Sequence, residues 1–391
     1  MKFGIIGAGP SGLTMALFLK ESYQVLEKES HPGGHASSFQ EKGFTFDYGP
    51  HIMFSKNKRI LDFMIASLGN NVHQSKRNNK ISFKGRLVKY PFENDLHSLP
   101  LGDTFECLQW NIPVEDLSMQ WSWRIPNPPP EDIIKSAIGI ETEGYVHQLY
   151  YHYPLRGGYQ AISDAWAKKV KPRYGFTVKN IKKTKKGTFL VTDGHETLEY
   201  KQIISTIPIH ELIHILELNI PKKVIRAIKE LVVNPMYIVS LGLKGEDVNK
   251  FTAIYFPEPD FLVNRMSFPK TFSPHNAPKG HYSVQAEITC RANSSVWRQR
   301  DEDILAHVKN GLRSRGIISD AQSIVYQSVR RSKYSYVVYD RAYEKNTKII
   351  RDWFPKQGIH LVGRFSYFEY VNIDGIVARS EEIAEKLNRS V

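Results

Sequence analysis

Apolar and polar positions along this chain change period repeatedly, and the changes mark its elements. "KFGII" is a short apolar run of the buried-strand type, and "SGLTMALFLK" after it has helical spacing. "YQVLEK" is the next apolar run, closed by Glu27, and "NKRILDFMIASLG" is helical again. "KISFKGRLVKYPF" (80–92) predicts a hairpin turning at Lys84-Gly85 between β-rich flanks. "RIPNPPPEDII" (124–134) is a proline-rich elbow before a helix start, and "YPLRGGYQAISDAWAKKV" (153–170) is a glycine turn opening a helix. Residues 174–207 predict a β-meander returning to a buried strand, "QIISTI", and residues 232–290 read as short strands alternating with proline turns. "DEDILAHVKNGL" predicts an amphipathic helix, "GIHLVGRF" (358–365) a last buried strand, and "DGIVARSEEIAEKLNRS" a C-terminal helix. No internal repeat or low-complexity segment breaks this order.

The join between the first strand and the first helix carries chemistry. "GAGPSG" places glycines at 7, 9 and 12, the G-x-G-x-x-G pattern in a strand–turn–helix context. Gly7 allows the tight turn, Gly9 lets the backbone approach a pyrophosphate, and Gly12 lets helix and strand pack closely. The helix N-terminus offers unpaired N–H groups to the phosphates. Glu27 stands twenty positions after Gly7, where a ribose-binding carboxylate is expected. Strand, loop, helix and acid together predict a Rossmann-like dinucleotide site.

Composition narrows the partners. The 391 residues suffice for more than one domain, and no apolar run is long enough to span a membrane. The N-terminal stretch lacks a small-residue cleavage site, which argues against a signal peptide. Cys107 and Cys290 are the only cysteines, too few for a disulfide framework or a multi-cysteine metal site, and they suit a reducing cytoplasm. The net charge of +13 favours anionic ligands. The densest basic run, 167–186, reads as a solvated surface, because no helix-turn-helix, zinc-finger or RNA-binding signature accompanies it.

After Glu27 comes "KESHPGGHASSF" and then "FDYGPHIMF" (46–54). An acid followed closely by Gly-Gly, and then a Gly-Pro-His turn, resembles the FAD-dependent amine oxidoreductases, among them the protoporphyrinogen-oxidase-like enzymes. That resemblance implies FAD as cofactor and an α/β fold: a Rossmann-like FAD-binding domain of the GR2 type, with an inserted α+β substrate domain containing an antiparallel sheet. The FAD-binding domain is then discontinuous, residues 1–75, 157–225 and 340–391, and residues 76–156 and 226–339 form the substrate domain. Cofactor contact is implied for Gly7, Gly9, Pro10, Ser11, Gly12, Glu27, Lys28, Gly34, His35, Gly49, Pro50, His51 and Val178, and for Gly363, Arg364, Asn372 and Ile373.

Several segments resemble the UDP-galactopyranose mutase family within that superfamily. They are "GPHIMFS" (49–55), "QWNIPVEDLSMQWSWRIP" (109–126), "NRMSFPKTF" (264–272), "YVVYD" (336–340) and "GRFSYFEYVNIDGIV" (363–377). The resemblance implies pyranose–furanose isomerisation of a nucleotide sugar by reduced flavin without net redox, in cell-surface polysaccharide synthesis. It implies that Arg265 contacts the diphosphate, because a planar, forked cation suits it. Tyr336 and Tyr370 would donate to phosphate oxygens, Trp110 would wall the sugar or stack on the base, and His51 would lie near the flavin edge. On an extended strand "DFLVNRMSF", alternation places Val263 and Arg265 on one face and Asn264 and Met266 on the other. The chain departs from the family at Phe54, Phe368 and Asn372, where His, Tyr and Asp are expected, and at the short connection from Phe92 to Trp110. Two other readings fit the N-terminal motifs: an amine-oxidase-like or protoporphyrinogen-oxidase-like oxidoreductase, and a flavin-binding protein without catalysis. Which sugar is used, and the oligomeric state, stay open at this level.

Overall fold

The computed structural model describes residues 1–83, 85–90, 149–245, 250–319 and 323–389, with a few isolated positions between 131 and 140. The expected proline elbow, Trp110, Cys107 and the Phe92–Trp110 connection lie outside the described residues.

A four-stranded parallel sheet carries the glycine loop. Its strands run in the order Ile359–Leu361, Gln202–Ser205, Phe3–Ile6 and Tyr23–Leu26, so three distant stretches of chain build one sheet. Every residue of Phe3–Ile6 is buried, as a strand covered on both faces requires. The helix Pro10–Phe18 is buried from Pro10 to Ala16, since it is enclosed by the sheet, by the helix Gln160–Val170 and by the C-terminal helix Ile373–Arg389. Thr14 Oγ1 donates to Ser380 Oγ across the last of these contacts, 2.9 Å. The expected meander forms a small antiparallel sheet of Thr197–Tyr200, Phe189–Thr192 and Asn180–Lys183, edged by Leu216–Glu217.

A second, seven-stranded sheet has the order Ile324–Val337, Val233–Lys244, His281–Thr289, Arg265–Ser267, Ala253–Tyr255, Asn79–Phe83 and Arg86–Lys89. The last two are the expected hairpin. Residues 232–290 differ from expectation, because two of their strands are long, with 12 and 9 residues. Pro235 lies inside the first of these, where the ladder shifts register between Asn234 and Met236. A proline lacks the N–H a regular ladder needs, so it is accommodated at an irregularity instead of ending the strand.

Alternation gives this sheet two unlike faces. Tyr237, Val239, Leu241, Val284, Ala286 and Ile288 pack with Ile304, Val308 and Leu312 of the amphipathic helix Asp301–Ser314. The opposite face presents Ser240, Ser283, Gln285 and Glu287, which are also buried. A polar buried face needs partners, and Gln285 finds one in the segment that follows the glycine loop. Gln285 Nε2 donates to the Asp47 carbonyl at 2.9 Å. Among the described residues no helix is long and apolar enough to cross a membrane.

Candidate functional site

Three segments converge over the first turn of the Pro10–Phe18 helix. Gly7 has φ +99°, and a Cβ on Gly12 would lie 1.9 Å from the Gly7 carbonyl oxygen, so turn and packing both demand glycine there. Gly9 differs: a Cβ there would meet nothing closer than the Gly33 carbonyl oxygen at 3.9 Å. Gly34 comes from the second segment with φ +51°, and its Cβ position is 3.5 Å from Gly9 Cα. Gly363 arrives from the third with φ +102°, and a Cβ there would sit 2.4 Å from Ser11 Oγ. Pro10 holds the first helical position, and the N-cap Gly9 provides no side-chain cap. The first-turn N–H groups have no intrahelical acceptor, and the helix dipole favours an anion beside them.

Glu27 is buried at the end of its strand. Its carboxylate accepts from the Ala8 N–H at 2.6 Å and from the Glu29 N–H at 3.0 Å, which ties it to the glycine loop. Lys28 points outward, paired with Glu29 at 3.4 Å. Val178 is half-buried in the stretch beside Glu27, where the Phe176 N–H bonds the Glu27 carbonyl at 2.9 Å. His35 keeps accessible surface and lies edge-on to Phe365 with ring centroids 5.4 Å apart. Although the residue is exposed, the protein around it together with the Arg364 and Lys28 cations pulls its pKa down, to about 4.

The Tyr48–His51 turn leads from this loop to the polar face of the large sheet. Gly49, φ +95°, would place a Cβ 3.5 Å from Glu287 Oε1. Burial, with the Arg364 and Arg265 cations nearby, keeps His51 neutral with a pKa of about 3. His51 Nδ1 is buried without a hydrogen-bond partner among the described residues. Arg265 is half-buried, and its Nε and Nη2 both contact Glu287 Oε2, at 2.8 and 2.7 Å. Burial pushes the Glu287 carboxyl up, Arg265 pulls it back, and Glu287 Oε1 has no hydrogen-bond partner among the described residues. Tyr336 and Tyr370 stack at 5.7 Å and 13°, and the Arg364 guanidinium lies 4.3 Å from the Tyr370 ring centroid while donating to the Val371 carbonyl at 2.7 Å.

The structure therefore brings together Arg265, Tyr336, Tyr370, Arg364, Gly49 and His51, with Pro50 half-buried between the last two. One expectation fails. Val263 and Arg265 do not share a face, because the strand begins only at Arg265. Val263 and Met266 both pack in the core under the Asp301–Ser314 helix, and the Arg265 side chain reaches Glu287 and the tyrosines on the other side. Asn372 is exposed, and its carbonyl accepts from the Ile376 N–H at 3.0 Å, so the C-terminal helix begins at Ile373. The start of this helix borders an open cavity of about 350 Å³, shared with Phe54–Asn57, where Ser55 Oγ donates to Asp374 Oδ2 at 2.6 Å. Phe368 is buried in the core against His210 and Tyr343.

Reading the sequence missed two members. Glu287 was legible: "HYSVQAEIT" alternates apolar and polar residues, which marks a strand with a polar face. Arg77 was not. Its guanidinium lies 5.0 Å from the Phe54 ring centroid, and burial, with the Arg265 cation nearby, draws its pKa below the usual arginine value while Tyr255, Tyr90 and Tyr151 oppose the shift.

A loop for a dinucleotide and an open space above Gly9 fit a flavin dinucleotide and define a Rossmann-like flavoenzyme. The comparisons agree. The NAD(P)-binding Rossmann-like domain family matches residues 5–66, and the flavin-containing amine oxidoreductase family matches residues 135–377, more than half of the chain. The chain belongs to the flavin-containing amine oxidoreductases, and its cofactor is FAD. Among solved structures, reduced UDP-galactopyranose mutase is similar over 100% of this chain and 96% of that one, with TM-score 0.88 and 21% identity. A putative protoporphyrinogen oxidase from an Exiguobacterium species gives 0.73 and 14%, covering 100% and 99%. A putrescine oxidase gives 0.70 and 15%, covering 99% and 98%.

Proposed function

We propose that this protein isomerises the sugar ring of a nucleotide sugar, in the manner of a UDP-galactopyranose mutase, with no net redox change. The observation that carries the reading is the cationic and phenolic wall formed by Arg265, Tyr336, Tyr370 and Arg364 beside the Gly49–His51 turn. A diphosphate needs such donors, whereas an amine does not. The FAD-binding domain comprises residues 1–75, 157–225 and 340–391, and the substrate domain residues 76–156 and 226–339.

In this reading FAD, when bound and reduced, supplies the nucleophile for the anomeric carbon. The chain's own residues bind, orient and exclude water. The Ser11 and Gly12 N–H groups and Gly9 receive the cofactor's pyrophosphate, and Glu27 its ribose. Gly34, His35, Gly363, Arg364 and Val178 would line the rest of the cofactor. Glu287 holds the Arg265 fork through Nε and Nη2, which leaves Nη1 outside that pair to meet a diphosphate oxygen. The Tyr336 and Tyr370 hydroxyls add neutral donors, and Trp110 would wall the sugar. A neutral His51 can donate or accept one hydrogen bond without adding charge.

The test is to purify the protein, confirm FAD by absorbance, and incubate it with a panel of UDP- and dTDP-sugars with and without dithionite. Conversion only after reduction supports the proposal. Bleaching of oxidised flavin by an amine or a porphyrinogen overturns it in favour of an oxidoreductase. Flavin binding with neither reaction overturns it in favour of a binding protein.

A further inference from the structure

The Gly157-Gly158 turn stands just before the helix Gln160–Val170, and the contacts proposed above give it no task. Both glycines have positive φ, +89° and +68°, and a Cβ on Gly158 would lie 2.4 Å from Ser38 Oγ. The turn therefore lays bare backbone against the strand Ser38–Glu41. That close approach delivers Gln160 to the segment carrying Gly33 and Gly34.

Gln160 holds this segment at two points. Its side-chain Nε2 donates to the Pro32 carbonyl at 2.8 Å, and its backbone N–H donates to Ser38 Oγ at 2.9 Å. The amide is itself oriented, because Nε2 also donates to Asp164 Oδ1 at 2.8 Å, four residues further along the helix. Ser38 Oγ donates in turn to Asp47 Oδ1 at 2.6 Å. Asp47 is 3% exposed and also accepts from Tyr153 Oη at 2.9 Å and from the Tyr159 N–H at 3.0 Å, and the His51 N–H adds to the same carboxylate. A buried carboxylate is costly unless its lone pairs are filled, so this end of the hydrogen-bond series is fixed.

The other end of the series is the Pro32–Gly34 bend. The Gly33 N–H donates to the Ala8 carbonyl at 2.9 Å, and the Gly33 carbonyl oxygen lies 3.9 Å from the position of a Cβ on Gly9. Gly34 and His35, which follow, are exposed. Gly33 has φ +114°, and a Cβ there would lie 2.7 Å from Gln160 Oε1, so bend and glutamine are fitted to one another. The bend is one wall of the open space above Gly9.

We propose that Gln160 is a positioning residue for the cofactor, holding the Pro32–Gly34 bend at the spacing from Gly9 that a dinucleotide pyrophosphate needs. This rests on the reading that the pyrophosphate lies over Gly9. Gln160 acts through the Pro32 carbonyl and Ser38 and does not itself touch the cofactor.

The experiment dilutes the purified holoprotein and reads FAD release by the rise in free-flavin fluorescence. Thermal melting, and hydrogen exchange of the peptide carrying Gly33 and Gly34 at saturating FAD, are measured alongside. Gln160→Met keeps the length of the side chain and removes the amide. Loss of a hydrogen bond of ordinary strength should weaken FAD about fivefold, with faster exchange at the bend. Gln160→Lys returns a donor to the Pro32 carbonyl and Asp164, and it is expected to recover most of the affinity and to slow the exchange. Trp166→Phe, on the same helix, loses core volume and the bond from Nε1 to Ser67 Oγ. It should lower the melting temperature with FAD affinity and exchange at the bend unchanged. If Gln160→Met fails to fold, Gln160→Ala takes its place with the same expected loss. Wild-type affinity in the variant without the amide overturns the proposal, as does weaker FAD with unchanged exchange at the bend. So does a loss that Gln160→Lys shares in full or that Trp166→Phe reproduces, since packing or global stability alone would then account for it. Retention of FAD by Gly9→Val refutes the reading beneath the proposal, whereas loss of FAD there with unchanged Gln160 variants refutes the proposal alone.

Discussion

At Gly9 the backbone is left open on one side, and this space is what a cofactor pyrophosphate requires. Gly9→Val should therefore fold, because its Cβ meets only the Gly33 oxygen at 3.9 Å, yet purify without yellow colour. Flavin content measured at 450 nm (about the usual flavin maximum) checks this, and full retention would remove the loop from the cofactor site. Arg265 calls for a paired design. Arg265→Ala strands the buried Glu287, and breaking such a pair costs about 3–5 kcal/mol of stability. The combination of Arg265→Ala with Glu287→Gln removes that penalty. It should keep FAD and lose about 2–3 kcal/mol of UDP-sugar affinity, tens- to a hundred-fold. Arg265→Lys should restore only part, because a point charge cannot reproduce the fork. Titration of the reduced protein, read by flavin fluorescence, decides: equal affinity in wild type and double variant would take Arg265 out of the substrate site.

The elements differ in how far each depends on the site. The Asp301–Ser314 helix covers the apolar face of the large sheet, while the cofactor contacts proposed here lie on the other face. Leu312→Ala should thus cost about 2–5 kcal/mol in denaturant unfolding, with unchanged flavin bands. The C-terminal helix is different, since Ile373 begins it beside the Phe54–Asn57 cavity and Thr14–Ser380 joins it to the nucleotide-loop helix. Its positive end lies close to the His51 loop through the Ser55–Asp374 hydrogen bond. Hairpin, meander and terminal helices were legible from spacing alone, because their partners are near in sequence or their apolar stripe is continuous. The long strand through Pro235 was not. Proline reads as a breaker, and only the neighbouring strands supply the irregular register that tolerates it.

For the whole apo-protein, acid stability turns on histidines held neutral, His35 and His51 together with His152, His210, His307 and His360, and on reluctant acids, Asp47 together with Glu287 and Asp340. Unfolded histidines take up protons below about 6.5, whereas folded His35 and His51 do so only near about 4 and about 3. The unfolded chain then binds more protons, so stability falls as the pH drops from 6.5 toward these values. Asp47 acts oppositely between its folded pKa of about 6 and its unfolded value of 3.8, because the folded state protonates first. The reluctant acids thus oppose the more numerous histidines in that window. Melting temperatures of the apo-protein should therefore fall from pH 7 to 4.5, and fall less in His51→Gln. An identical pH slope in the variant would show that His51 does not titrate in this way.

Local elements and the dinucleotide loop were written into the sequence, because turn, helix start and ribose acid lie within one strand–helix–strand unit and need only short-range geometry. Lone residues in suggestive contexts, such as Arg265, Tyr336 and Arg364, could be named but not assembled. Their meeting depends on which sheet faces oppose one another. The tertiary structure alone decided that Arg265 spends two nitrogens on Glu287, that Arg77 joins the same wall, and that Asp47 ties Ser38, Tyr153 and Tyr159 to the His51 turn. Those contacts span up to 188 residues of chain between Arg77 and Arg265. Periodicity says which side of a strand is polar. The register and order of strands brought together from distant stretches decide what that polar side meets.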